Sequence, residues 1–408
     1  MNFSEYVYAY GWNRFNMGII GIWPESNESI FMKNRAWFYA LWIFTLIWMP
    51  QFASVTVFWG DLIETIKCLS TNVPVAVSIM KLVVFRSKRK GIRNYFDLLM
   101  LMEKDWAFPW TEAQEEAMMK LSTTGRVISL LSIVVRSGLF VAYAKRYLQT
   151  WMGFQDFNNP DPNADPRLSI GLLYTCVFPY DTKKLENFIP TWLGQFVGTW
   201  LSISAYSGPD AFLAMLVLHL CGQLAVVRLD LKNIVDEECV KDPQAFRGKL
   251  SDIIKRHEEL NRSDYTFMIE EAFNPMLLAQ IFFLSFFYQL HLQTVVDHKK
   301  GKFPYIGMIF FIIHTFHATS HLFIYCWVGD VLIAESSDIG FSPYESNWYL
   351  MPPAEIKSLM FITHRSRTRL EITAGKFCSF SLQLFTNIIK TSVGYLSVLM
   401  AMKDRLIE

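Results

Sequence analysis

Apolar residues along this chain fall into long unbroken runs, set apart by short polar stretches. The runs are Ala36 to Trp59, Leu62 to Phe85, Val127 to Tyr147, Phe188 to about Ile234, Phe273 to Val296, Phe303 to Leu332 and Phe377 to Met402. Each approaches or exceeds the roughly 20 residues that cross a hydrocarbon core as a helix. The pattern predicts an all-α membrane protein with seven transmembrane helices. Pro50 lies inside the first run and is expected to kink it, which a lipid-embedded helix tolerates. The fourth run would extend roughly 70 Å as one helix, well past a bilayer, so its charged end, LDLKNIVDEE, must project into water. Gly208-Pro209 offers a bend inside it. Lys241 to Asp264 has helical periodicity but is polar, and Ser346 to Thr373 is amphipathic and too charged to span.

Composition agrees with that reading. Of 408 residues, 52% are hydrophobic and 16% aromatic, and mean hydropathy is +0.22. The net charge of +1 leaves no basic face for nucleic acid. No basic segment followed by an apolar core opens the chain, so no cleaved signal peptide is expected. The six cysteines are expected to be free thiols, because only Cys176 falls in a long polar loop.

Orientation follows from charge. With the N-terminus inside, 24 of the 38 lysines and arginines fall on inner segments, which predicts a cytoplasmic N-terminus and an extracellular C-terminus. The glycosylation sequons at Asn2, Asn27 and Asn261 then all sit on the cytoplasmic side, out of reach of the lumen. The expected organisation is a cytoplasmic N-terminus (1–35), six helices over 36–334 with a long extracellular loop at 148–187 and a cytoplasmic segment at 235–272, an anchor helix at 335–376, and a last helix at 377–408. A G-protein-coupled receptor runs the other way, and its usual signatures are missing. No Asp/Glu-Arg-Tyr ends the third run, and the last run lacks Asn-Pro-x-x-Tyr.

Enzyme chemistry finds little support. No carboxylate pair stands at catalytic spacing within the runs, and no phosphate loop or nucleophile elbow appears. His314, His317 and His321 share a helix face at i, i+3 and i+7. That spacing could hold a metal, but a polar stripe packed between helices or lining a cavity explains it better, and no cofactor is expected. Lys81, Arg136, Asp210, Asp330 and Lys390 are ionisable residues inside runs and so functional candidates. Mutual pairing or snorkelling accounts for Lys81 and Asp330. Lys390, with Asn387, Thr391 and Ser392 near it, suits a water-filled path.

The last eighty residues carry a set of motifs in order. Tyr325-Cys326-x-x-Gly329 is followed by Glu335-Ser336, Trp348-Tyr349, a basic step at Arg365, then Gly375, Phe377, Ser381, Leu382, Phe385 and Lys390-Thr391-Ser392. This resembles the C-terminal signature of insect odorant receptors. The segment RHEELNR at 256–262 also looks like that family's cytoplasmic helix. Insect gustatory receptors share the inverted topology but typically end in Thr-Tyr and a later Gln-Phe. A membrane transporter, the competing class, would call for inverted repeats or broken helices, and none is evident.

The resemblance implies an odorant-gated cation channel in the plasma membrane of olfactory sensory neurons. It implies a tuning subunit that assembles as a heterotetramer with an olfactory co-receptor and needs no G protein. It further implies a small volatile ligand bound in the extracellular half of the bundle. Residues at that level are Asn72, Val75, Val135, Gly138, Ala142, Thr199, Trp200, Ile203, Phe310, His314 and His317. Gly138 is expected to leave room opposite Trp200. The last helix of each subunit would line the pore, which points to Lys390, Ser397, Val398 and Ala401.

Overall fold

The computed structural model describes residues 3–23, 30–59, 62–87, 90–152, 172–182, 184–262, 265–298 and 305–405. The core of the long loop lies outside them, as do the turn at Lys299-Lys300-Lys302 and the sequons at Asn2 and Asn27. The chain is almost entirely helical, in the order α1 (Phe3–Ile19), α2 (Ile30–Ile43), α3 (Met49–Val57), α4 (Leu62–Arg86), α5 (Lys90–Ala107), α6 (Glu112–Met152), α7 (Leu185–Lys232), α8 (Glu237–Lys241), α9 (Pro243–Arg262), α10 (Tyr265–His298), α11 (Tyr305–Asp338), α12 (Ser342–Glu345), α13 (Pro353–Arg365) and α14 (Leu382–Arg405). Two short strands, β1 (Thr373–Ala374) and β2 (Cys378–Ser379), pair antiparallel just before α14. Among the described residues, Asn34–Val57, Glu112–Ala144 and Glu186–Lys232 are long and apolar enough to cross a membrane.

The first run is one rod, α2 and α3 joined through a π-helical turn at Phe44–Trp48. Pro50 causes the irregularity. Having no N–H, it leaves the carbonyl of Leu46 without its helical donor. The Gln195 side chain supplies one instead, at 3.2 Å from Leu46 O. The carbonyl of Trp48 takes the Asn72 amide at 3.1 Å, and that of Pro50 takes the backbone N–H of Val177. A proline that would cost hydrogen bonds in isolation therefore ties α3 to α4 and α7.

α6 begins earlier than its apolar run. Thr111 and Gln114 form a reciprocal cap, with Thr111 N–H donating to Gln114 Oε1 at 2.9 Å and Gln114 N–H to Thr111 Oγ1 at 3.4 Å. The polar stretch after this cap is helical, and α6 reaches 41 residues. α7 carries 48 residues through Pro190 and Pro209 without interruption, so the bend expected at Gly208-Pro209 does not end the helix. It packs against α6, α11, α4, α1 and α2 and is the centre of the bundle. Glycines allow that packing. A Cβ at Gly194 would lie 2.7 Å from Leu46, and one at Gly198 would lie 2.8 Å from Ile47.

Two expectations about the C-terminal region are corrected. The segment 335–376 is not one anchor helix. α11 runs on to Asp338, then come α12, a 3-10 turn at Trp348–Leu350 and α13, whose start is set by Pro352-Pro353. From Leu370 the chain is extended as far as the β1–β2 hairpin, where Gly375 and Lys376 both take positive φ. That is the backbone of the tight turn hairpins favour. The last helix therefore starts at Leu382 instead of Phe377. Its first turn is capped from α11, because Asp330 Oδ1 accepts the backbone N–H of Leu382 at 3.4 Å. The N-terminal segment is also more than a tail, since α1 packs on α6 and α7, with Asn13 Nδ2 donating to Ser129 Oγ at 2.8 Å.

Candidate functional site: a cavity over a buried polar cluster

One cavity lies between α4, α6, α7, α10 and α11. Thr71, Val73, Pro74, Val75, Val77, Ser78, Leu139, Tyr143, Tyr174, Ser202, Ile203, Tyr206, Phe283, His314, His317 and Ala318 line it. Its volume, counted as room for the centre of a water molecule, is about 40 Å³. That holds roughly three waters, so a ligand of ten heavy atoms enters only if side chains give way. The walls are apolar and aromatic, with hydroxyls and imidazoles at a few points, the usual make-up of a small-molecule site.

Val75, Ile203, His314 and His317 lie on the cavity wall. Asn72 and Thr199 lie close by but are occupied otherwise. Asn72 donates to the carbonyl of Trp48, and Thr199 donates to Gln195 O at 2.7 Å and meets the Tyr174 hydroxyl at 3.0 Å. Val135, Ala142 and Trp200 do not line the cavity. Trp200 packs edge-on against Phe140 at 4.9 Å, with the Arg136 guanidinium over its ring at 5.3 Å. The room expected opposite Trp200 at Gly138 is absent. Gly138 is on the outer face of α6, and a Cβ there would meet nothing within 4 Å. Leu139 and Tyr143 take the inward positions instead. The inward face of α6 carries Ser122, Ser129, Ser132 and Arg136, all buried and spaced three, four or seven residues apart, and Gly138 falls off that face. The side chains of Phe310, Val398 and Ala401 lie outside the described residues. Lys390 and Ser397 are exposed on α14.

Beneath the cavity is a cluster that single residues foreshadowed but whose assembly the sequence did not reveal. Lys81 on α4 and Asp210 on α7 are both fully buried and 2.5 Å apart. Lys81 Nζ also donates to the Tyr206 carbonyl at 2.6 Å. Lys81 is thus paired, and it does not snorkel. Asp210 Oδ2 faces His321 Nδ1 at 2.7 Å and the Gln280 amide at 3.4 Å. Tyr325 donates to Gln280 Oε1 at 2.9 Å, and the two imidazoles of His317 and His321 meet Nε2 to Nε2 at 3.3 Å. A buried ion pair persists where further hydrogen bonds satisfy its remaining atoms, and here four helices supply them. The signal available beforehand was an Asp and a Lys in apolar runs with no local counter-charge. Among the described residues, no group of histidine, cysteine and carboxylate side chains could hold a metal. All six cysteines are free thiols.

The cluster touches the base of the last helix. The Tyr325 ring lies 5.6 Å from that of Phe380, which directly follows the hairpin. Gly329, one turn further along α11, lies so close to this strand that a Cβ would stand 2.4 Å from Phe380 O. The glycine of the Tyr-Cys-x-x-Gly motif is thus required for close approach.

α8, α9, α12 and α13 form a polar annex. Asp236 caps α8 through Cys239 N–H, and the adjoining Lys249 ammonium holds its carboxyl well below the ordinary range. Arg247 grips Glu355 of α13 at 2.7 Å. Burial, helped by the Arg365 charge, pushes His257 down to about 4. Against α13 lies an apolar groove formed by Tyr344, Trp348, Ile356, Leu359 and Met360, with a volume of about 350 Å³.

A helical bundle of long apolar rods enclosing a small amphipathic cavity marks a polytopic membrane protein. The 7tm Odorant receptor family model matches residues 61–393, and the chain belongs to that family. It is 23% identical to Odorant receptor 22c of Drosophila melanogaster over 399 residues, covering 93% of this chain and 94% of that one. It is 28% identical over 240 residues to Odorant receptor 13a of the same species, covering 55% of this chain, so it spans only about half the length of that relative (56%). It is 24% identical over 163 residues to the odorant receptor coreceptor of Anopheles gambiae, covering 40% and 33% of the two chains. Among solved structures, the olfactory receptor OR5 of Machilis hrabei superposes with a TM-score of 0.78 at 12% identity, covering 97% of this chain and 99% of that one. The same receptor in complex with eugenol gives 0.79, covering 98% and 100%. The fold is therefore that of an insect olfactory receptor.

Proposed function

We propose that the chain is the odorant-binding subunit of a ligand-gated cation channel, with its N-terminus in the cytoplasm and its C-terminus outside. The observation that carries this reading is the small amphipathic cavity walled by α4, α6, α7, α10 and α11. A receptor of the same fold has been solved with eugenol, a small aromatic odorant. Odorants gain affinity chiefly by leaving water, at about 25 cal/mol per Å² of apolar surface, and the apolar wall suits them. The last helix lines the pore in this reading. Lys390, Thr391 and Ser397 are exposed on α14 in the single chain, as polar residues facing a water path would be. Val398 and Ala401 form the outer constriction, where apolar rings can gate by dewetting.

The exposed aromatic side chains of the annex, Tyr344, Phe361 and Tyr349, are 65–75% accessible. They become subunit contacts in an assembly with the co-receptor in olfactory sensory neurons. The test is whole-cell current on adding odorants to cells expressing this chain with and without an odorant receptor coreceptor. An odorant-dependent current only when both are present is the expected result. Odorant-independent current, or none with both subunits at the surface, would overturn the proposal.

A further inference from the structure

We infer that His317 presents a bare hydrogen-bond acceptor to the cavity, so that the site selects ligands carrying a hydroxyl group that donates, an alcohol or a phenol. This deepens the odorant-binding reading above and rests on it. The positions of the protons in the cluster under the cavity lead to that acceptor.

Asp210 is the starting point. Its carboxylate lies 2.5 Å from the Lys81 ammonium, and both side chains are fully buried. One cation already balances one anion. The other oxygen, Oδ2, stands 2.7 Å from His321 Nδ1, oblique to the N–H direction. Two lone pairs do not share that distance, so Nδ1 carries a proton. A proton on Nε2 as well would make His321 a second cation in a sealed space with no second anion, which burial forbids. The neighbouring Tyr206, Gln280 and Tyr325 supply no charge. His321 Nε2 is therefore an acceptor.

That settles the next ring. His317 Nε2 lies 3.3 Å from His321 Nε2. One proton must lie between them, and His321 cannot provide it, so His317 Nε2 donates. A neutral imidazole with its proton on Nε2 has a lone pair on Nδ1. His317 lines the cavity, and no hydrogen bond to its Nδ1 is made among the described residues. It is the nitrogen left to meet a ligand. A buried acceptor is satisfied only by a donor, and a site built so rejects an analogue lacking one. Apolar walls with a single acceptor at the floor fit a small molecule that is apolar over most of its surface and ends in O–H.

The test uses the full chain expressed with an odorant receptor coreceptor, and pairs that differ only in the donor. Benzyl alcohol and phenol are set against their methyl ethers, which keep the oxygen but cannot donate. In the wild type, each hydroxyl compound is expected to open the channel at about tenfold lower concentration than its ether, the worth of one hydrogen bond to a buried acceptor. His317→Phe keeps the ring and removes the acceptor. It should close that gap, the potency ratio of alcohol to ether falling toward one. His317→Gln, which retains an acceptor, should keep the gap. Thermal shift of the purified protein with the same pairs reads binding without gating. It also serves if His317→Phe reaches the surface poorly. Equal potency of alcohol and ether in the wild type, preference for the ethers, or an undiminished gap in His317→Phe would overturn the inference. If other odorants open the channel and hydroxyl compounds do not, the inference falls alone. If no odorant opens it with both subunits at the surface, the cavity reading falls and takes the inference with it.

Discussion

α6 and α7 are the two longest helices and are similarly apolar, yet they live in different solvents. The membrane-crossing stretch of α7 is 89% buried within the chain, that of α6 only 33%. On α6 the exposed residues include Val127, Leu131, Val134 and Val141, a surface suited to lipid tails. On α7 nearly every side chain from Leu201 to Val227 is buried, including Ser202, Ser204, Ser207, Asp210 and Gln223. A hydrocarbon solvent tolerates no unpartnered polar group, so α7 can carry a carboxylate only because its neighbours supply partners. The lesson is that hydropathy measures what a helix can bury, and not what buries it. Of these two helices, the one buried within the chain carries the carboxylate.

The contrast can be broken most forcefully at the ion pair. Asp210→Ala leaves the Lys81 ammonium buried without a counter-charge, a loss on the order of 3–5 kcal/mol. The surface population should collapse, as read by cell-surface labelling. The double replacement Lys81→Met with Asp210→Leu should recover part of it, because replacing both members removes the orphan charge. Retention of wild-type surface levels by Asp210→Ala would show that the pair is dispensable.

Packing supplies the next test. Phe212 on α7 is fully buried, while Leu131 on α6 is more than half exposed. Phe212→Ala should cost about 3–5 kcal/mol. Leu131→Ala, facing lipid, should cost no more than about 0.5 kcal/mol. Melting of both variants in the same detergent or nanodisc measures the difference, and equal losses would remove the distinction between the two helices.

The polar annex gives a pH-dependent counterpart. Burial and the Arg365 charge depress His257 to about 4, below the ordinary value near 6.5. The unfolded chain then binds the proton first as pH falls. The stability contributed by keeping His257 neutral is complete above about pH 6.5 and is lost progressively down to about 4. The loss amounts to about 3 kcal/mol. Melting temperature should therefore fall from pH 7 to pH 4, and His257→Gln should flatten that slope. An unchanged slope would mean that other groups carry it.

The smallest expected effect compares two glycines. Gly198→Ala on α7 sets a methyl 2.8 Å from Ile47 Cδ1 and 3.4 Å from Trp42 Cδ1, crowding that should cancel the gain of about 0.5–1 kcal/mol that alanine brings to a helix interior. Gly138→Ala on α6 points into open space and should stabilise by about 0.5–1 kcal/mol, the helix-interior advantage of alanine over glycine. Melting of the two variants side by side checks this.

Much of the architecture was legible before folding. Seven apolar runs specified the rods, and the motifs from Tyr325 to Ser392 pointed to the family. Of the residues expected at the ligand level, Val75, Ile203, His314 and His317 line the cavity, and Gly138 and Trp200 do not. α6 does carry a stripe, Ser122, Ser129, Ser132 and Arg136 at helical spacing, which turns inward and leaves Gly138 off the buried face, so the phase of that helix was written in the sequence. The hairpin at Gly375-Lys376 hides in the sequence, because Thr373 to Ser381 is too short a stretch for periodicity to tell strand from helix.

What the sequence determined by itself is the set of helices, their apolar character and the presence of stranded charges, because the cost of burying a polar group acts on each residue locally. Only the tertiary structure decided which charges meet. Lys81, Asp210, Gln280, His321 and Tyr325 lie on four helices and up to 244 positions apart. Their pairing depends on the packing of α4, α10 and α11 around α7, which no local pattern encodes. The direction of His317's lone pair depends on that packing in turn, because a proton's position in a chain of hydrogen bonds is set by every partner in it.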